Sequence, residues 1–158
     1  MKTLYLLRHS GTLATSPSGR DIDRRLSAEG IRDAETIAEF IAGSDPPPQI
    51  ILTSPAVRAR ETAAFAAAKL DIAETTVEEI YEARTATLVD IVRSLGGEPN
   101  AALMVGHNPG IASLAEFFTG TSVAMHAPSV AKIEFDIDDW KNAERYYGKL
   151  AGLHSAKS

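Results

Sequence analysis

Two arginines and two histidines stand out in this 158-residue chain because of where they occur. Arg8 and His9 end one apolar run, His107 follows another, and Arg58 lies in the first turn of a predicted helix. Arginine offers a permanently charged fork that matches the oxygens of a phosphoryl group. A neutral imidazole can attack phosphorus and form a phosphoramidate, which water can then hydrolyse. Brought together, these four side chains could bind and transfer a phosphoryl group.

The predicted helix that carries Arg58 adds to this chemistry. It begins at Ser54-Pro55, where serine would cap the N-terminus and proline suits the first helical position. The N-terminus of such a helix presents unpaired N–H groups and the positive end of the helix dipole. Phosphoryl transfer needs an in-line nucleophile and stabilisation of the charge on the phosphoryl oxygens. This group of residues therefore favours phosphoryl chemistry.

Four apolar runs that are typical of buried strands alternate with four segments of helical periodicity. The predicted strands cover residues 4–7, 50–52, 76–80 and 101–105. The predicted helices present apolar residues at 31, 34, 37, 38 and 41, over 55–70, at 88, 91, 92 and 95, and at 111, 114, 115 and 118. This alternation predicts an α/β fold, a three-layer α/β/α sandwich around a mostly parallel sheet. Ligands of such sheets bind beyond the carboxyl ends of the strands, where we expect Arg8, His9 and His107.

The pattern changes in the last third of the chain. Residues 130–135 predict a further strand and residues 148–153 an edge strand, whereas residues 139–147 are equally compatible with a helix. The sequence contains no internal repeat, low-complexity tract or linker. The chain length suits one well-buried core. We therefore expect a single domain over residues 1–158.

The composition excludes several kinds of chemistry and partner. The chain has no cysteine, which excludes disulfides, zinc–thiolate sites and thiol nucleophiles. Its net charge of −5 argues against nucleic acid and anionic membranes as partners, because their phosphates would repel it. No apolar stretch approaches the ~18 residues of a membrane span, and the N-terminal apolar run is too short for a signal peptide. We expect a cytoplasmic enzyme.

Motifs of competing enzyme classes are absent from the sequence. His9 and His107 have no HxH, HExxH or acidic-cluster neighbours, so we expect no metal. The sequence has no Gly-x-x-x-x-Gly-Lys-Ser/Thr loop, which disfavours a nucleotide kinase or ATPase. It has no Gly-x-Ser-x-Gly elbow either, which disfavours a serine hydrolase. The prediction is a metal-independent enzyme without a cofactor.

Four segments, in the same order along the chain, resemble the motifs of the histidine phosphatase superfamily, which has the phosphoglycerate mutase-like fold. They are Leu7-Arg8-His9, Arg25-Leu26-Ser27-Ala28-Glu29-Gly30, Ser54-Pro55-Ala56-Val57-Arg58-Ala59-Arg60-Glu61-Thr62-Ala63 and Val105-Gly106-His107-Asn108-Pro109. The chain departs from the family pattern at Ser10, where glycine is commoner, and at Arg25, where proline is usual. The resemblance covers the chain from residue 4 to the segment around residue 110.

The resemblance implies a function for each of these residues. His9 would be the nucleophile that carries a phosphohistidine intermediate, and Arg8, Arg58 and His107 would form the phosphate pocket. Glu82, which follows the third predicted strand, would protonate the leaving group as the general acid. An ordinary surface carboxylate is the alternative interpretation of Glu82.

The short connection between Glu82 and His107 indicates which kind of family member this is. Only 24 residues separate them, and a helix and a strand use nearly all of these, so we expect no lid subdomain. An open site suits a phosphate presented on a larger partner, and this compactness resembles the SixA-type phosphohistidine phosphatases. We therefore expect dephosphorylation of phosphohistidine on a signalling protein. The alternatives are a broad-specificity phosphomonoesterase acting on small phosphoesters and a catalytically silent phosphate-binding module.

Overall fold

A six-stranded mixed β-sheet forms the centre of the structure, a computed structural model that describes residues 1–156. The strands are β1 Lys2–Arg8, β2 Ile50–Thr53, β3 Glu74–Thr76, β4 Ala101–Gly106, β5 Ser129–Phe135 and β6 Gly148–Ser155. Their order across the sheet is β3-β2-β4-β1-β5-β6. Strands β1 to β4 run parallel, whereas β5 is antiparallel to β1 and β6 is antiparallel to β5. The prediction of a mostly parallel sheet is confirmed.

Among residues 1–156, four α-helices cover the sheet, two on each face. They are α1 Ala28–Ala42, α2 Val57–Leu70, α3 Thr85–Arg93 and α4 Gly110–Thr119. Helices α1 and α2 pack on one face and α3 and α4 on the other, which produces two separate apolar layers. Short 3₁₀ turns at Asp21–Asp23, Glu78–Ile80 and Trp140–Asn142 lie in the connections. This arrangement is the predicted three-layer α/β/α sandwich.

Strand β1 is buried from residue 2 to residue 7 because helices cover both faces of the sheet. Leu4 and Leu6 pack into the layer of α3 and α4, whereas Tyr5 and Leu7 pack into the layer of α1 and α2. This alternation follows from the period of two in a strand, whose successive side chains point to opposite faces. The uninterrupted apolar run in the sequence therefore corresponds to a strand with two buried faces.

Helix α1 begins as the sequence predicts, because the Ser27 Oγ accepts a hydrogen bond from the Gly30 N–H. A side chain at Gly30 would collide with the Gly11 backbone, so this close approach requires glycine. Ser10 is fully buried and donates its hydroxyl to the Gly30 carbonyl oxygen at 2.6 Å. These contacts attach the start of α1 to the segment after β1. One predicted apolar position of α1 is not in the core, since Ile31 is 41% exposed.

The third strand differs from its prediction. The prediction covered residues 76–80, but β3 is Glu74–Thr76 and residues 78–80 form a 3₁₀ turn. The Val77 N–H still bonds to β2, after which the chain turns and buries Ile80 in the layer of α3 and α4. The spacing of apolar residues over so short a segment cannot distinguish a short strand from a single turn that buries one side chain.

Helix α2 begins at Val57, later than the predicted start at Ser54-Pro55. The Ser54 Oγ accepts a hydrogen bond from the Ala56 N–H at 3.2 Å, two residues further along the chain. Such a local side-chain bond makes a turn rather than a helical N-cap. Ser54 thereby precedes the helix and stays beside His107.

The segment after β5 contains less helix than the sequence allows. Within residues 139–147, only Trp140–Asn142 is helical, as a 3₁₀ turn. The Trp140 side chain is fully buried and its Nε1–H donates to the Pro99 carbonyl oxygen at 2.6 Å. The buried Trp140 therefore anchors a single turn in this segment instead of a longer helix. Strand β6 follows and lies at the edge of the sheet, as predicted.

The connection from Glu82 to His107 contains only α3, β4 and the turns around them. No helix among residues 1–156 combines the length and the apolar character needed to cross a membrane. The single domain over residues 1–158 stays a prediction, and residues 157 and 158 lie outside the described part of the chain.

Candidate active site

The parallel strands β1 and β4 place the two predicted histidines beside each other. Arg8, the last residue of β1, pairs with Gly106, the last residue of β4. His9 and His107 follow directly, and the His9 N–H donates to the Gly106 carbonyl oxygen at 3.1 Å. The two imidazole rings lie 5.2 Å apart between centroids and are tilted by 56°. The register of the sheet therefore fixes this pair at the carboxyl ends of the strands.

The Arg8 guanidinium is only partly engaged by the protein. Its Nη1 donates to the Met125 carbonyl oxygen at 2.9 Å, and Asn108 Nδ2 donates to the same oxygen at 2.9 Å. Arg8 Nε is buried and has no hydrogen-bond partner among the residues that the structure describes. Burial lowers the pKa of Arg8, but an arginine stays charged at neutral pH. Arg8 therefore holds a charged donor that a ligand could use.

Arg58 lies in the first turn of α2 and is only 7% exposed. Its Nη1 donates to the Asp21 main-chain oxygen at 2.8 Å, and its Nη2 donates to Asp21 Oδ2 at 2.9 Å. Arg58 and His107 line the same cavity. The structure thus brings the second predicted arginine to the edge of the sheet that holds the histidines.

The surroundings of His9 keep its imidazole neutral and determine which nitrogen carries the proton. His9 Nδ1 lies 2.7 Å from the Ser10 carbonyl oxygen, which can only accept, so Nδ1 is the donor. Nε2 therefore keeps its lone pair. Burial, helped by the charges of Arg58 and Arg8 and opposed by the bond to Ser10, lowers the pKa of His9 to about 4. At neutral pH the ring is an uncharged base, the form in which histidine acts as a nucleophile.

His107 is also uncharged at neutral pH. Burial, followed by the neighbouring His9 and Arg58, lowers its pKa to about 3. Its Nε2 lies 2.7 Å from Ser54 Oγ, whereas Nδ1 is buried and unpartnered within residues 1–156. If the serine hydroxyl donates to Nε2, Nδ1 carries a proton that a bound anion could accept.

A cavity of about 310 Å³ opens beside His107 and Arg58. Glu82, Asp21 and Tyr81 line it together with the apolar side chains of Ile80, Leu88 and Ile111. Glu82 has a φ of 55°, a left-handed conformation that is uncommon for a residue other than glycine. The structure therefore places Glu82 at the same cavity as two of the predicted residues. The two predicted residues at the end of β1 do not line this cavity.

Sequence reasoning missed Asp21 and Tyr81. Tyr81 Oη donates to Asp21 Oδ2 at 2.7 Å, and its ring lies edge-on to His107 with centroids 5.6 Å apart. The hydrogen bond from Tyr81, together with those from Arg58 and Arg24, lowers the pKa of Asp21 to about 2, although burial acts in the opposite direction. Burial and the adjacent carboxylate raise the pKa of Tyr81 to about 12. The loop around Asp21 has no periodicity, so only the position of Tyr81 next to a candidate acid could have signalled this pair.

Comparison with known sequences gives a family match. A family model described as the histidine phosphatase superfamily (branch 1) matches residues 4–88. An uncharacterised chloroplastic protein of Arabidopsis thaliana is 30% identical, over 96% of this chain and 77% of the relative. The match therefore extends over almost the whole chain.

Solved structures share the fold. A protein of Agrobacterium tumefaciens that is proposed to be the phosphohistidine phosphatase SixA has a TM-score of 0.83 and 25% identity, and the match covers 98% of this chain and 97% of that one. A protein with the same proposed name from Nakamurella multipartitia has a TM-score of 0.86 and 21% identity, with 97% and 95% covered. The chain therefore has the fold of the SixA structures.

Proposed function

Since the chain belongs to branch 1 of the histidine phosphatase superfamily and is a phosphatase, we propose that it is a metal-independent enzyme with His9 as nucleophile, acting on phosphohistidine in a signalling protein. The observation that carries this proposal is the state of His9. Its Nδ1–H is held by the Ser10 carbonyl oxygen, and its lowered pKa leaves Nε2 unprotonated. That is the form in which an imidazole attacks phosphorus.

The reaction would consist of two displacements at phosphorus. In the first, His9 Nε2 bonds to phosphorus while the bond from phosphorus to the leaving nitrogen or oxygen breaks, and the leaving atom takes up a proton. In the second, the oxygen of a water molecule bonds to phosphorus while the Nε2–P bond breaks and its electron pair returns to Nε2. Phosphate then leaves with the oxygen and the protons of that water. The hydrogen bond from Nδ1 to Ser10 would hold the ring in one orientation through both steps.

Arg8, Arg58 and His107 would bind the phosphoryl oxygens. A buried donor left without a partner costs about 1–3 kcal/mol, and a phosphoryl oxygen would provide the acceptor that Arg8 Nε lacks. The transition state of phosphoryl transfer spreads negative charge over these oxygens. Two arginines in a site partly shielded from water stabilise that charge more strongly than they would in bulk solvent.

Glu82 is the proposed general acid for leaving groups that need a proton. It lines the cavity with His107 and Arg58. Asp21 lines the same cavity, but with a pKa of about 2 it is ionised at neutral pH and has no proton to donate. A leaving imidazole accepts a proton readily, so Glu82→Gln should slow the hydrolysis of alkyl phosphates more than that of phosphohistidine.

A small-molecule phosphomonoesterase is the second candidate function. The cavity of about 310 Å³ beside His107 supports it, because this volume lies at the lower end of the range for small-molecule sites. The short connection from Glu82 to His107 and the fold shared with SixA structures favour a phosphate carried on a protein. In both cases we propose a cytoplasmic enzyme whose partner is a phosphorylated protein or a small phosphoester, not nucleic acid or a membrane.

The test is phosphate release from a phosphohistidine-bearing protein in the presence of EDTA, with p-nitrophenyl phosphate as the parallel substrate. Wild-type protein should prefer phosphohistidine, and His9→Ala should abolish release. His154→Ala is the matched control, because His154 stacks on Phe40 beside a different cavity and should keep the wild-type rate.

Each unfavourable outcome points to a different error. Activity that EDTA abolishes, or that persists in His9→Ala, contradicts the metal-independent histidine mechanism. A preference for the aryl phosphate indicates the phosphomonoesterase. Binding of vanadate without hydrolysis of either substrate indicates a phosphate-binding module without turnover.

A further inference from the structure

Asp21 is held in a fixed position against Arg58. Its main-chain oxygen and Oδ2 accept from the two terminal nitrogens of Arg58, Oδ2 also accepts from Tyr81 Oη, and Oδ1 accepts from Arg24 Nη1 at 3.2 Å. These bonds come from three side chains, although the Asp21 side chain is 49% exposed. Asp21 therefore presents a localised negative charge to any group that enters the cavity beside Arg58.

The charges around this cavity are unequal. In the described part of the chain, Arg58 is the one arginine or lysine that lines it, whereas Asp21 and Glu82 contribute two carboxylates. Arg58 is already paired with Asp21. A phosphoryl group that also reaches Arg8 would have a second arginine to bind, but a second anion inside the cavity would find no unpaired cation among the lining residues.

The geometry of displacement puts the leaving group on the cavity side. Attack on phosphorus is in line, so the leaving atom lies opposite the nucleophile. His107 and Arg58 line the cavity and His9 does not. A phosphoryl group attacked by His9 and bound by Arg58 would therefore have its leaving group on the side of the cavity that Asp21 helps to line.

We propose that Asp21 is a specificity-determining residue that disfavours substrates whose leaving group is negatively charged. The inference rests on the proposed function and defines the substrate class of the same site: phosphoesters and phosphoramidates whose leaving groups are neutral or positive, imidazole included. A carboxylate or a second phosphate on the leaving group would be repelled by Asp21. Repulsion between like charges is stronger in a partly desolvated space than in water, and it discriminates between ligands without any added attraction.

The test compares two non-hydrolysable ligands that differ by one carboxylate, phenylphosphonate and 4-carboxyphenylphosphonate. Calorimetry measures the ratio of their Kd values without any need for turnover. In wild-type protein the carboxylated ligand should bind about tenfold more weakly, and in Asp21→Asn about twofold more weakly, as expected for charges several ångströms apart at intermediate dielectric. Asparagine keeps an acceptor oxygen for Arg58 and Tyr81 and removes the charge.

The matched control is Asp23→Asn, which changes the net charge by the same amount. Asp23 lies in the same 3₁₀ turn, accepts a hydrogen bond from Ser18 at 2.6 Å and does not line the cavity. The inference is supported if the ratio of the two Kd values falls in Asp21→Asn but not in Asp23→Asn. High salt should also lower the ratio of the two Kd values in wild-type protein, because it screens the repulsion between the carboxylates.

An unchanged ratio in Asp21→Asn overturns the inference, even if both ligands bind more weakly. Such a uniform loss is what a residue that only orients Arg58 would produce. If wild-type protein binds neither phosphonate, the proposed phosphate pocket is wrong and this inference fails with it. If both ligands bind but His9→Ala still hydrolyses phosphohistidine, the proposed nucleophile is wrong, and the Kd ratio still decides the function of Asp21.

Discussion

Two groups of side chains surround the proposed phosphate position, and they are held in different ways. The strand-end group consists of Arg8, His9 and His107, which backbone pairing between β1 and β4 fixes in register. The rim group consists of Asp21, Tyr81 and Glu82, which lie in irregular connections and line the adjacent cavity. In the rim group, side-chain hydrogen bonds hold Asp21 and Tyr81 together.

The two groups also differ in their charge. Burial lowers the pKa values of His9 and His107, so both rings are neutral. Asp21 is half exposed and receives several hydrogen bonds, so its carboxylate stays ionised. The comparison teaches that this fold places the proposed nucleophile where strand pairing fixes the backbone, and the proposed charge selectivity on a more exposed edge that side-chain hydrogen bonds hold.

The largest effect should come from the strand-end group. Arg8→Ala should lower kcat/KM by about 10²–10³-fold, since it removes a preorganised charged donor from the transition state. The control is Arg60→Ala, because Arg60 is exposed on α2 and its side chain donates to the Pro55 carbonyl oxygen, outside the site. Steady-state kinetics on phosphohistidine measures both variants. A loss of less than tenfold in Arg8→Ala would mean that the strand-end group does not stabilise the transition state.

The buried histidines should make the protein less stable in acid. The folded-state pKa values are about 4 for His9 and about 3 for His107, whereas an unfolded histidine titrates near 6.5. Between those values the unfolded chain binds more protons, so the free energy of unfolding falls as pH drops from about 6.5 through about 4, and the contribution is fully present above 6.5. Urea unfolding at about pH 7 and about pH 5 measures this fall.

His107→Gln sharpens the same measurement. Glutamine has no proton to gain, so this variant should lose less stability than wild-type protein between the two pH values. An equal loss in both proteins would show that the His107 ring is not held uncharged by burial. His154→Gln serves as the control, because His154 lies outside the site, where it stacks on Phe40.

The close approach of Gly30 to Gly11 should have a smaller effect, on stability. Gly30→Ala should reduce the free energy of unfolding by about 1–3 kcal/mol, because the added methyl group meets backbone that has to move. Gly43→Ala is the control, since its nearest contact would be 3.5 Å from the Glu39 carbonyl oxygen. Chemical denaturation of both variants decides the point. Equal stabilities would show that the loop carrying Asp21 is not fixed at this contact.

The smallest effect should come from the rim group. Tyr81→Phe removes one hydrogen bond to Asp21 and should change kcat/KM by about threefold, as expected for the loss of a single partly exposed hydrogen bond. It should also raise the pKa of Asp21, since the Tyr81 hydroxyl is the main cause of its lowering. NMR titration of Asp21 measures that shift, with the exposed Tyr147→Phe as control. If Tyr81→Phe lowered kcat/KM as much as Arg8→Ala, the rim group and the strand-end group would not differ in their importance for the reaction.

The sequence alone was sufficient to predict the strands that carry the strand-end group. A buried parallel strand needs apolar residues on both faces, so β1 and β4 appear as uninterrupted apolar runs. The predicted apolar positions of α4, Ile111, Leu114, Ala115 and Phe118, are all buried. Because parallel strands end at one edge, the approach of His9 to His107 could be predicted before any coordinates. The catalytic function of these residues stays a proposal.

Only the tertiary structure decided the rim group. Asp21 meets Arg58 across 37 positions of the chain and Tyr81 across 60, and no local pattern marks such a pair. The ends of the loop that carries Asp21 are joined by hydrogen bonds from Ser27 N–H to the Gly11 carbonyl oxygen and from Ser10 Oγ to the Gly30 carbonyl oxygen, which are tertiary contacts. The lowered pKa values of the histidines depend in the same way on burial by distant segments. Periodicity records which residues a strand or helix buries, whereas contacts between irregular loops depend on how the finished layers fit together.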